Sequence, residues 1–262
     1  MSKEIFVHAV DNLRYNYYSK KDPIPGFSGH SHNAYEFLYF LSGDATYVIE
    51  DKKYKLRPGD LIITRPSKYH FIQIDSHAVY ERHDLLFDHK RLGINMHLLP
   101  DGLDVVNVES GSIIDELFKK FGFYTENFAE DFYIDIFKLL IQEMIYNLSI
   151  ADQTKENDFS VVNPILSKAL AYIGENLFSI KDISEVAQAV FVTDSYLFRL
   201  FKQELFKTPK KYITEKRLLS AQKQLRKGIK PIDVAEACGF DDYTTFYRNY
   251  TEHFGKKPSE EA

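Results

Sequence analysis

The feature that most constrains this chain is a pattern that occurs twice in its second half, 48 to 49 residues apart. In the first copy Ser179 is placed to cap a helix carrying Ile180, Ile183, Val186 and Ala187. A turn falls near Phe191 to Asp194, and Leu197, Leu200 and Phe201 mark the apolar side of a second helix. The second copy has Ile232, Val234, Ala235 and Cys238, the turn Gly239-Phe240-Asp241-Asp242, and then Phe246 and Tyr250. Ala187 and Ala235 correspond, each a small residue that lets the second helix cross closely. Between the copies, Tyr212 to Leu225 reads as a long amphipathic helix that fixes their separation. Two helix-turn-helix units held this way suit successive major grooves on one face of a duplex, about 34 Å apart.

Charge agrees with that reading. Residues 1–159 carry 17 basic and 25 acidic side chains, and residues 160–262 carry 16 and 13. Within the second half, Ser195 to Lys230 holds eleven cations against only Glu204 and Glu215, a net charge of +9. A solvated helix face normally mixes signs, so this run points to phosphate binding. The apolar positions of the two second helices leave Ser195, Tyr196, Phe198, Arg199 and Lys202 outward in one copy, and Tyr243, Thr244, Thr245, Tyr247 and Arg248 in the other. These ten are the candidate contacts to double-stranded DNA. Arg199 and Arg248 have the fork to pair a guanine edge, and Thr244 or Thr245 suits a thymine methyl or a phosphate. Backbone contact, or plain surface, is the alternative for any one of them.

The segment resembles the DNA-binding domain of the AraC/XylS family of bacterial transcription regulators. The resemblance is carried by Leu197-Phe198-Arg199-Leu200-Phe201-Lys202, then Pro209, Tyr212, Arg217, Leu218 and Ala221, then Val234-Ala235, Gly239-Phe240-Asp241-Asp242, Phe246, Gly255 and Pro258. It covers about a hundred residues. Phe191 and Phe206 stand where the family usually has glycine, and the chain ends Ser259-Glu260-Glu261-Ala262 where Tyr-Arg is customary.

The first half has a different grammar. Short apolar segments alternate with turn residues: Tyr35 to Leu41, Thr46 to Ile49, Tyr54 to Leu56, Leu61 to Thr64, His70 to Ile74 and Val79 to Phe87. Closely spaced strands of this kind suggest a small sandwich or barrel. After Gly111 the period becomes helical, through Ile113, Ile114, Leu117, Phe118 and Phe121. It resumes, after the cap candidate Asn127, through Phe128, Phe132, Ile136, Leu139, Leu140, Met144 and Leu148. Surplus apolar surface on these two helices would pair with a second copy of the chain, and packing within one copy is the alternative.

His30, His32 and Glu36 have the spacing His-x-His-x-x-x-Glu, and His70 begins a later strand. This resembles the first motif of cupins, and Pro58-Gly59-Asp60 with Pro66 and His70 resembles a looser second one, one residue short of the metal-binding spacing. Three roles stay open for His30, His32, Glu36 and His70. They suit a metal such as Zn²⁺, contact with an organic effector, or hydrogen bonds to their own strands. The sensor domains of AraC-like regulators often begin with such a stretch, which implies the second or third role. No cofactor is expected. Arg82 and, less directly, His83 are further pocket candidates, and Phe37, Tyr39, Tyr47 and Phe71 suit a sugar face or the core.

Together these features predict an α+β chain of two domains: a cupin-like β-barrel with appended helices over 1–150, a linker over 151–163, and an all-α double helix-turn-helix over 164–262. With 262 residues, 44% of them apolar, collagen, a long coiled coil and a disulfide scaffold are excluded. The sequence lacks an apolar run near the roughly 20 residues of a membrane span, and its lone cysteine, Cys238, makes no internal disulfide. A cytoplasmic location is therefore expected. The family resemblance implies a homodimer responding to a small effector, a sugar first among them, and RNA polymerase as a partner if the chain activates. The rivals are a metal-dependent cupin enzyme carrying a DNA-binding domain and a DNA-repair methyl acceptor. The latter needs a reactive cysteine, whereas Cys238 occupies a core helix position.

Overall fold

The computed structural model of the chain describes residues 3–9, 13–23, 29–150 and 159–261. The chain divides into two compact units, one of residues 1–28, 34–49 and 54–159 and the other of residues 29–33, 50–53 and 160–262. This is the α+β, two-domain layout that the change of period predicts.

The first unit is built on strands. β1 (Lys3–Ala9), β2 (Leu13–Lys20), β8 (Tyr80–Phe87), β3 (Tyr35–Ser42), β6 (Asp60–Thr64) and β9 (Val105–Asn107) form a six-stranded sheet in that order. β5 (Lys52–Lys55), β4 (Ala45–Ile49) and β7 (His70–Ile74) lie in a second sheet with β10 (Phe159–Val161) at its edge. Alternation along each strand gives the large sheet two unlike faces. Leu38, Phe40 and Ile62 pack toward Ala45, Tyr47 and Ile49 of the small sheet, so the two sheets share one core. On the opposite face Tyr15, Phe37, Tyr39, Leu61, Ile63, Leu85 and Phe87 meet the helices α2 (Ile113–Asn127) and α3 (Glu130–Ser149). A short helix α1 (His89–Leu92) follows β8, capped by Asp88.

Two expected caps are corrected. Asn127 is the last residue of α2, its amide donating back to Phe123 O at 2.8 Å, and α3 starts after Ala129 with no side-chain cap. Ser179 likewise closes a helix instead of opening one. Its hydroxyl donates to Asn176 O at the end of α4 (Pro164–Asn176), and Asp182 caps the next helix in a capping box with Glu185. Of the expected linker 151–163, residues 151–158 lie outside the described residues, 159–161 form β10, and Asn163 caps α4.

The second unit is helical: α4, α5 (Ile183–Ala189), α6 (Asp194–Glu204), α7 (Pro209–Leu225), α8 (Pro231–Ala237) and α9 (Tyr243–Phe254), closed by a 3-10 turn at Pro258–Glu260. The pairs α5–α6 and α8–α9 are the two repeats, and α7 is the spacer. Each second helix is capped by a side chain, Thr193 for α6 and Asp242 for α9. Ala187 and Ala235 are both buried at the crossings. No described helix is long and apolar enough to cross a membrane.

Arg217 joins the two repeats. From the middle of α7 its guanidinium donates to Leu177 O and Ile180 O ahead of α5, at 2.8 and 2.5 Å, and to Gly239 O in the turn of the second copy, at 2.8 Å. The chain end adds a second tie. Glu261 is buried and takes hydrogen bonds or ion pairs from Gln222 (2.6 Å), Arg226 (3.2 Å) and Lys256 (3.0 Å). Glu261 thereby anchors the C-terminal part of α7.

Candidate nucleic-acid interface and effector site

The apolar sides of α6 and α9 are spent inward: Leu197, Leu200, Phe201, Phe246 and Tyr250 are all buried. Ser195, Phe198, Arg199 and Lys202 are exposed on α6 and Tyr196 is half-buried. On α9, Tyr243, Thr244 and Arg248 are exposed while Thr245 and Tyr247 are half-buried. The ten candidates thus lie off the packed side of their helices. Arg199 is held over the Tyr196 ring at 5.0 Å, which limits the loss of rotamer freedom when its fork engages a partner.

Ten of the eleven cations in the +9 run fall into two populations. Lys207 and Glu215 form a buried ion pair, Lys216 pairs with Glu50, Arg226 pairs with Glu261, and Arg217 serves the three carbonyls. Burial pushes the Lys207 ammonium below its usual range, and Glu215 opposes that loss. These four cations are engaged within the fold. Arg199, Lys202, Lys210, Lys211, Lys227 and Lys230 are the remainder for which no ion pair is formed among the described residues.

In the first unit, alternation along β8 sends Tyr80, Arg82 and Asp84 to the core between the sheets and His83 to the helix side. His83 therefore leaves the pocket set. It stacks on Tyr39 and Phe118 and shares a 2.6 Å hydrogen bond between its Nδ1 and the Tyr15 hydroxyl. Phe37 and Tyr39 also pack against α2 and α3, and Phe71 lies on the outer face of the small sheet, where its register opposite Val48 puts it. Only Tyr47 of the four aromatic candidates faces inward.

Between the sheets, Glu36 accepts from the Tyr47 hydroxyl at 3.2 Å and lies 3.1 Å from His70 Nε2, while His70 Nδ1 is 2.9 Å from Lys68 O. His30 is exposed and His32 half-buried, and both belong to the second unit, whereas Glu36 and His70 belong to the first. Arg82 donates to Asp84 at 3.3 Å. Burial, followed by the charge of Glu36, pushes the Asp84 carboxyl up, against the pull of Arg82. Sequence reasoning missed Asn16, Tyr80 and Asp84. The buried atoms Asn16 Oδ1, Tyr80 OH, Arg82 Nε and Asp84 Oδ1 have no hydrogen-bond partner among the described residues. These four atoms lie on the neighbouring strands β2 and β8, and a buried polar atom left without a partner costs about 1–3 kcal/mol. The period-two pattern Tyr80, Arg82, Asp84 was the signal for them.

Two family models match the chain: an AraC-like ligand binding domain over residues 16–108 and a helix-turn-helix domain over residues 186–261. The chain belongs to the AraC family of transcriptional regulators. Among curated relatives, the lactose operon transcription activator of Staphylococcus xylosus is 33% identical over 128 residues, which cover 47% of this chain and 46% of that protein. The transcriptional activator RhaR of Cronobacter sakazakii is 23% identical over 250 residues, covering 88% of this chain and 85% of that one. A solved transcriptional regulator with an AraC-type DNA-binding domain, from Chromobacterium violaceum, is 33% identical over 37% of this chain and 88% of its own, with a TM-score of 0.35. The match thus spans about half the length of the first of these relatives.

Proposed function

We propose that this AraC-family chain is a non-enzymatic transcription regulator that places α6 and α9 in successive major grooves of promoter DNA and responds to a small polar effector held in the two-sheet unit. The observation that carries the reading is the repeat itself. Two capped helices, each with its apolar side buried and a polar, cationic side outward, are tied together by α7 and Arg217. A single reading helix would need no such spacer.

The proposed effector contacts are Glu36, His70 and Arg82, together with His30 and His32, and the unpartnered atoms of Asn16, Tyr80 and Asp84 extend the set. An arginine fork beside carboxylates and a tyrosine hydroxyl matches the alternating donors and acceptors of a carbohydrate. A relative named for a lactose operon favours the same class. Signal transfer is a shift between two arrangements of the chain, biased toward the one the effector binds more tightly. A regulator of promoter DNA works in the cytoplasm, as a two-fold dimer that doubles its contacts. RNA polymerase is a partner if it activates.

Footprinting on the promoter region next to the gene tests the reading. Two protected segments one helical turn apart are expected, and Arg199→Ala and Arg248→Ala should each relax base choice at one position by about 1–3 kcal/mol. One protected segment, or equal protection of random duplex, overturns it. For the effector, a panel of sugars should raise the thermal midpoint of the wild type and leave that of Arg82→Ala unmoved.

A further inference from the structure

Where the two repeats meet in the second unit, a cleft of about 450 Å³ opens beside α9. Thr245 and Arg248 of the reading helix line it, Lys181 and Asp182 at the start of α5 line it too, and Lys210 and Thr214 of α7 contribute further. Three cations and three carboxylates meet there besides Arg217, yet they are not equivalent. Asp182 and Asp242 are N-caps, each accepting from backbone N–H groups of its own helix, Ser184 N and Thr245 N. Asp241 is paired with Lys181 at 2.9 Å. Lys210 and Arg248 form no salt bridge among the described residues, and both are exposed. Two carboxylates are therefore turned onto the backbone while two cations remain turned outward.

We propose that this cleft is a phosphate seat for the DNA strand that runs between the two grooves read by α6 and α9, with Lys210 as its cationic contact and Lys181 at its rim. The proposal rests on the DNA-binding reading of α6 and α9. The first helix of a helix-turn-helix crosses the backbone, and the first helix of the first copy, α5, begins at this cleft. Between two successive major grooves lies one minor groove bordered by phosphates, and this is the chemistry that an exposed ammonium and a threonine hydroxyl accept. Contacts of this kind add affinity without base preference, so Lys210 sets how firmly both copies are seated and leaves the choice of bases to α6 and α9.

The test is a titration of the full chain against its operator and against a scrambled duplex, from about 50 to about 200 mM salt. Wild type that binds neither duplex removes the DNA-binding reading itself. Given wild-type binding, Lys210→Gln should weaken both complexes by the same factor, about 5-fold. It should also reduce the slope of log affinity against log salt by about 1, and Lys210→Arg should restore the slope. Lys168→Gln on α4 removes the same charge from another exposed position and should leave the slope at the wild-type value. An unchanged slope in Lys210→Gln, or a loss confined to the operator, overturns the proposal while the reading of α6 and α9 stands. Inorganic phosphate at matched ionic strength provides the last arm. Saturable binding of free phosphate to the wild type without DNA, lost in Lys210→Gln, would replace the strand seat with a free-anion site.

Discussion

Phe191 and Gly239 hold equivalent places in the two copies, and both have a left-handed backbone, at φ 58° and 78°. A Cβ on Gly239 would lie 2.4 Å from Phe178 O, so only glycine fits there. Phe191 is 94% exposed, so at its position the side chain meets no such obstacle and the conformation costs only backbone strain. Phe191→Gly should raise stability by about 1 kcal/mol, less the extra entropy of glycine in the unfolded chain, whereas Gly239→Ala should lower it by more than that. Thermal unfolding of the two variants checks both signs. At His83, burial holds the imidazole down to about 4, against a lesser upward pull from Asp115. A folded value below the unfolded 6.5 means that the stability from this residue is complete above about 6.5 and is lost as the pH falls toward 4. With allowance for the partial solvent access of the ring, the loss amounts to about 2 kcal/mol. Urea unfolding at pH 7 and pH 5 should show a smaller difference for His83→Phe than for wild type, and equal differences would sink the assignment.

At the scale of elements, α7 carries the most consequence. Its buried residues include Tyr212, Ile213, Leu218, Leu219, Ala221 and Leu225, so it has core contacts on more than one side. Arg217 then fixes the loop before α5 and the turn before α9 to the same helix. Arg217→Ala leaves three carbonyls to find new partners and should cost about 2–4 kcal/mol. Arg217→Lys should recover only part of that, since an ammonium cannot span three acceptors in a plane. The sharper expectation concerns binding. Arg217→Ala should weaken a full two-groove site more than an isolated half-site, because the spacing between α6 and α9 is what it sets. Titrations against both duplexes, at a temperature where the variant remains folded, measure this. The strands from β3 to β8 were legible from alternation and turn residues, but β2 was not, because Leu13–Lys20 is rich in tyrosine and polar residues. Its partner β8 buries that tyrosine face, and the pairing is visible only when the strand is in place.

On the scale of the whole molecule, α3 presents Phe132, Leu139 and Tyr146 at seven-residue intervals, exposed by 71%, 70% and 54%. That spacing is one stripe of a heptad, which a second copy of the same helix would cover in the proposed dimer. Leu139→Lys should convert the proposed dimer to monomer in sedimentation, with little change in the thermal midpoint, since the residue contributes nothing to the packed side of α3. It should also weaken binding to a two-site operator far more than to a single site. A wild-type chain that sediments as a monomer at all concentrations would remove the dimer from the reading.

The order of residues alone determined the duplication, the polarity of its reading helices, the strands from β3 to β8 and the two-part layout, because helical and extended periods are local properties of a chain. Only the tertiary structure decided which members of the cationic run are free for a ligand. Lys207, Lys216, Arg217 and Arg226 look like Lys202 and Lys210 in the sequence; the partner of Lys207, Glu215, lies within the run, but Glu50, the loop carbonyls and Glu261 come from outside it. The same holds for Asn16, Tyr80, Arg82 and Asp84, whose unpartnered atoms became visible when strands far apart in sequence buried them side by side. Burial and pairing depend on neighbours that folding brings together, and no window on the sequence contains them.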